Sequence, residues 1–106
     1  MSENKEPVAG QKTGPSLELQ KTVPLRFPIQ VDGATVGSIT IRRSKVVDHR
    51  IAAQRANGQG GAAYELELFS ILTNIPVEAF DNMDYADYED VQEAYRSFLS
   101  SVAIAK

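Results

Sequence analysis

Over residues 25–31, Leu25, Phe27, Ile29 and Val31 alternate with Arg26, Pro28 and Gln30. This is the period of a half-buried strand. Asp32-Gly33 supplies a turn, and residues 36–42 return with Ile39 and Ile41 on one face. Val36 is out of phase with that pair across Gly37, which predicts a bulge there, and Pro28, lacking an N–H, predicts an edge position. The period then becomes helical. Ser44 reads as the N-cap of a helix reaching about Ala56, with Val47 and Ile51 at i, i+4 and Ala52, Ala53 and Ala56 keeping its packed side thin. The run Asn57-Gly58-Gln59-Gly60-Gly61 ends it. A second helix over residues 62–73 carries Leu66, Leu68, Phe69, Ile71 and Leu72, then Ile75, an apolar arc wider than half its circumference. Pro76 suits the start of a short helical turn through Phe80, and residues 81–84 form a link. In the last helix, over residues 85–102, Tyr88, Val91, Tyr95, Phe98, Leu99 and Val102 make one apolar stripe. A lone hairpin is unstable in water, so the pattern predicts an α+β fold: an N-terminal β-hairpin packed on a small bundle of three main helices.

Residues 1–22 have no stripe of either period and read as a disordered arm, leaving residues 23–106 as the domain. Leu, Ile, Val and Phe make up 27 of 106 residues, enough to exclude full disorder. There is no Cys, which excludes disulfides and thiolate zinc sites and makes a reducing cytoplasm the expected compartment. No apolar run approaches the roughly 20 residues that span a bilayer, and the first ten residues lack the character of a signal peptide, so no membrane partner is expected. The net charge of -3 conceals a split: residues 1–60 sum to +4 and residues 61–106 to −7.

Candidate chemistry is sparse. His49, the sole imidazole, reads as an exposed helical side chain, and no Ser stands in a context that marks an activated nucleophile, so no catalytic residue and no cofactor is assigned. Asp81, Asp84, Asp87 and Asp90 recur every third residue without the order of an EF-hand loop; helix initiation explains them better than a metal, and no metal site is assigned. Gly58, Gly60 and Gly61 lack the Lys-Ser/Thr pair of a phosphate loop. Arg42, Arg43, Lys45, Arg50 and Arg55 form a basic group that suits either phosphate or an acidic protein partner. A nucleic-acid-binding or regulatory module of a mobile element is therefore the second reading; it predicts binding with a steep salt dependence. On the second helix, Leu66, Phe69 and Leu72 suffice to meet the hairpin and the last helix. Leu68, Ile71 and Ile75 lie together on the other side with no obvious partner. They are the expected partner-binding surface, with Arg42, Arg43 and Arg50 at its rim, for a client helix or a second copy of the chain. Phe98 and Leu99 are both expected in the core.

The order of these features resembles a known family. The hairpin with Val31-Asp32-Gly33 at its turn is followed by Ile39-Thr40-Ile41-Arg42-Arg43, a helix and a glycine-rich break. Then come Glu65-Leu66-Glu67-Leu68-Phe69-Ser70-Ile71-Leu72-Thr73-Asn74-Ile75-Pro76, Asp84-Tyr85-Ala86-Asp87-Tyr88 and Phe98-Leu99. Over about residues 25–100 this is similar to the phage tail assembly chaperones of Mu-like and related contractile-tailed phages. Asn74 stands where that family commonly has Gly, and Ser44-Lys45 where Thr or Pro is frequent. The resemblance implies a non-enzymatic factor of the host cytoplasm that binds the tape measure protein, helps recruit tail tube protein, and is absent from the finished virion.

Overall fold

The computed structural model describes residues 18–104, and the side chains of residues 18–100. Strands β1 (Gln20–Val31) and β2 (Ala34–Arg42) form one antiparallel hairpin. Asp32 and Gly33 at its tip both have positive φ, 52° and 81°, the conformation that Asp-Gly tolerates in a tight hairpin turn. The ladder runs from Gln20↔Arg42 to Pro24↔Ser38 and resumes at Ile29↔Val36. The break lies opposite Gly37, where the phase change in β2 predicts it, but the surplus residues, 25–28, belong to β1. Pro28 has no N–H to donate and Gly37 no side chain to pack, so pairing fails on both strands at one level. The looped stretch also overturns the simple alternation. Val23, Leu25 and Ile29 are buried, whereas Phe27 is 59% exposed.

Residues 20–22, assigned to the arm by pattern alone, pair with residues 40–42 in the ladder. Their polar side chains carry no apolar period, and backbone pairing recruits them regardless; Thr22 Oγ1 meets Thr40 Oγ1 at 3.1 Å. Residues 1–17 of the expected arm lie outside the described residues.

Helix α1 (Val46–Arg55) starts one residue later than Ser44 predicts. Lys45 is the N-cap, and its backbone N–H donates to the Asp48 carboxylate at 2.7 Å, half of a capping box. Helix α2 (Gly61–Thr73) ends at Asn74, whose φ of 59° is left-handed, the geometry that explains Asn where Gly is common. Helix α3 (Val77–Asp81) follows Pro76, and α4 (Tyr85–Ile104) begins where the Asp84 carboxylate accepts the N–H of Ala86 at 3.1 Å.

Helix α2 is central: α1, β2 and α3 pack on it, while α4 lies against the hairpin. Ile39, Ile41, Phe69, Val91 and Phe98 are sealed at the centre, and the Phe69 ring meets Tyr88 and Tyr95 of α4 with centroids 5.8 and 5.5 Å away. Leu68 is only 2% exposed. It is therefore a core residue, because the side of α2 that seemed unpartnered is covered by α1: Tyr64, one turn before Leu68, hydrogen-bonds His49 of α1. Phe98 is buried as expected, but Leu99 is 55% exposed, since the next residue of a helix turns 100° away and α4 here passes the end of the sheet.

One charged side chain organises the irregular strand. Asp87, wholly buried on α4, accepts the backbone N–H groups of Arg26 and Phe27 at 3.0 and 3.1 Å and the Arg26 guanidinium at 3.0 Å. Arg26 also reaches Asp90 at 2.8 Å. Asp87 thus satisfies amides that the broken ladder leaves without strand partners. Burial pushes its carboxyl pKa up, but these donors outweigh burial and hold it below the usual value.

Candidate partner-binding surface

Leu19, Phe27, Val46, Val47, Tyr85 and Leu99 are large apolar side chains left exposed. Four of them, Leu19, Val46, Val47 and Leu99, belong to segments that Arg43 joins at one end of the molecule. Its backbone N–H donates to the Leu19 carbonyl at 2.8 Å, extending the ladder past the strand ends. Its guanidinium lies 5.2 Å over the Phe98 ring and donates to the carbonyls of Glu18 at 3.0 Å and Phe98 at 3.3 Å. The start of β1, the junction between β2 and α1, and the far part of α4 are thereby joined. Leu19, Val47 and Arg43 line a cavity of about 530 Å³ at this end, with Arg42 and Asp48 beside them.

Arg42 and Arg43, expected at the rim of a client surface, line this cavity as internal struts. Arg42 makes two hydrogen bonds to the Asp48 carboxylate, at 2.8 and 2.9 Å, and holds its pKa down to about 2. Among the described residues, Lys45, Arg50 and Arg55 form no ion pair, and all three are exposed. Ile71 and Ile75 are half-buried and line a separate open depression of about 530 Å³ with Arg55 and Asp32. The six expected partner residues therefore divide: Leu68 in the core, Arg42 and Arg43 beneath the end patch, Ile71 and Ile75 in the depression, and Arg50 on the outer face of α1.

His49 is half-buried rather than exposed. Its Nδ1 meets the Tyr64 hydroxyl, and its Nε2 meets Ser44 Oγ at 3.0 Å and the Tyr95 hydroxyl at 3.4 Å. Ser44 and His49 match two members of a hydrolytic triad, but a phenol stands where a carboxylate would stabilise an imidazolium. What the network does is tie α1 to α2, α4 and the β2–α1 junction. The aspartate run is also structural: Asp84 caps α4, and Asp87 and Asp90 hold Arg26.

The end patch had a partial signal in the sequence. Once Asp48, Ala52 and Ala56 are the buried face of α1, helical geometry puts Val46 and Arg50 outside. The position of Leu19 had none, because it depends on a strand pairing made by polar residues.

No helix among the described residues is long and apolar enough to cross a membrane. No curated protein and no solved structure matches the chain. A family model described as phage tail assembly chaperone proteins, E, or 41 or 14, matches residues 22–100. That match runs from the first strand far into α4, through the hairpin, the Asn74 helix stop and the Asp87 clamp, and the chain belongs to the phage tail assembly chaperone family.

Proposed function

We propose that the protein is a non-enzymatic assembly factor of the host cytoplasm that binds the tape measure protein, assists tail tube assembly, and does not remain in the virion. The observation that carries this reading is that exposed Leu19 and Val47 line one cavity, with exposed Val46 and Leu99 next to residues of segments that Arg43 joins there, and with Lys45 and Arg50 forming no ion pair among the described residues. A long helical client that tends to aggregate needs apolar cover flanked by charge that keeps the complex soluble. Arg55, in the last turn of α1, lines the depression at Ile71 and Ile75. This depression is a second part of the proposed client surface, so the two isoleucines remain in it and Leu68 does not.

Nucleic acid fits less well. Two of the five cations in the basic group, Arg42 and Arg43, are spent on Asp48 and Phe98, which leaves a thin phosphate-binding surface. Co-expression tests the assignment: the tape measure protein should stay soluble and co-purify with this chain. An insoluble tape measure protein, together with a gel shift lost between low and moderate salt, would favour the nucleic-acid reading.

A further inference from the structure

The opposite character, apolar and acidic, meets in a groove between the first half of α2, α3 and the start of α4. Its volume is about 360 Å³, and its lining includes Leu66, Met83, Tyr85 and Tyr88, with Glu65 and Asp81 among them. The Tyr85 ring is 67% exposed and sits 6.2 Å from the Tyr88 ring, so a large aromatic face borders the opening. Glu65 is the unusual member. It is half-buried, and its Oε1 accepts the Tyr88 hydroxyl at 2.7 Å and the Gln92 amide at 2.9 Å. Both donors are neutral, and no described cation pairs with it. Among the described residues, the two buried carboxylates are treated differently, since Asp48 has Arg42 and Asp87 has Arg26. Burial, with the Glu65 carboxylate next, pushes the Tyr88 phenol up, so Tyr88 remains a donor to Glu65 over the physiological range. A half-buried carboxylate at the edge of an apolar groove gains most from a cation brought in from outside.

We propose that this groove receives a lysine or arginine side chain from a basic segment of a protein partner, the charged head on Glu65 and Asp81 and the aliphatic stem across Met83 and Tyr85. The dimensions suit one long side chain rather than a whole helix. An exposed tyrosine is a favourable surface for a cation or its stem. Residues 61–106, which supply the whole groove, carry a net charge of −7 and attract a basic segment before contact. The site is separate from the end patch, and either one can stand without the other.

The test uses the full chain, isotopically labelled, titrated with an 18-residue amphipathic Leu-Lys peptide and with the same peptide carrying Gln in place of Lys. Binding of the lysine peptide should shift the amides of Leu66, Met83 and Tyr85 and should saturate. Glu65→Gln, which keeps an acceptor for Tyr88, should weaken it about tenfold. Glu89→Gln, removing an exposed carboxylate of α4 outside the groove, should change it less than twofold, and the glutamine peptide should bind far more weakly. Equal losses from Glu65→Gln and Glu89→Gln would show diffuse attraction and overturn the site. Shifts confined to Leu19 and Val46, or no saturable binding, would overturn it as well.

Discussion

Phe98 and Leu99 are neighbours of equal apolar character with opposite environments, one 1% exposed and the other 55%. Phe98→Ala should lower stability by about 3–5 kcal/mol, as other large-to-small core changes do. Leu99→Ala should change it by less than about 0.5 kcal/mol. Denaturant unfolding of the two variants checks the pair. Charge behaves as locally. Asp48 and Asp87 both have carboxyl pKa values lowered in the folded state, Asp48 from 3.8 to about 2. A lowered folded pKa contributes stability that is fully present above the unfolded value and is lost as pH falls through the folded one. The denaturation midpoint should therefore drop between about pH 4 and pH 2, and Asp48→Asn should flatten that dependence while being less stable at pH 7. A wild-type midpoint constant across this window would contradict the assigned pairs.

At the scale of elements, the pattern of apolar positions locates the hairpin and the four helices among the described residues, because each has a clear period or a clear stop. Asn57 to Gly61, Asn74 and Pro76 mark local backbone needs that no tertiary contact has to supply. Asn74 should accept Gly with little change, whereas Asn74→Ala should cost about 1 kcal/mol by forcing a side chain without a polar tip into the left-handed region. What the sequence concealed were contacts between elements distant in the chain. The cover on Leu68 comes from α1, a thin helix whose alanines give no strong apolar signal. The clamp of Asp87 on β1 joins residues 60 and 61 positions apart, and a carboxylate near a helix start looks like an ordinary cap. Leu68 reads as partner surface for the same reason: an apolar side chain is free only if no other element reaches it. Leu68→Ser should therefore unfold the domain or lower its melting temperature sharply, while Ile71→Ser, beside an open depression, should be much milder; circular dichroism on heating distinguishes them.

On the scale of the whole molecule, the domain separates its charges. Lys45, at the start of α1, and Arg50 and Arg55 on it form no ion pair among the described residues, whereas the carboxylates gather on α2 to α4. Among the described residues, the remaining basic side chains are engaged: Arg26 and Arg42 with buried carboxylates, Arg43 with the Phe98 ring and backbone carbonyls, and Lys21 and Arg96 with Glu18 and Glu93. This arrangement gives a tail assembly chaperone two surfaces of contrasting chemistry. The most direct measurement of the central claim is capture of the tape measure protein by the wild-type chain and by a Val46→Glu, Leu99→Glu double variant, with the melting temperature of each recorded alongside. Both substitutions are on exposed side chains, so folding should be retained within a few degrees, and capture should fall at least tenfold. Full capture by a folded double variant would contradict the account and place the client elsewhere on the domain.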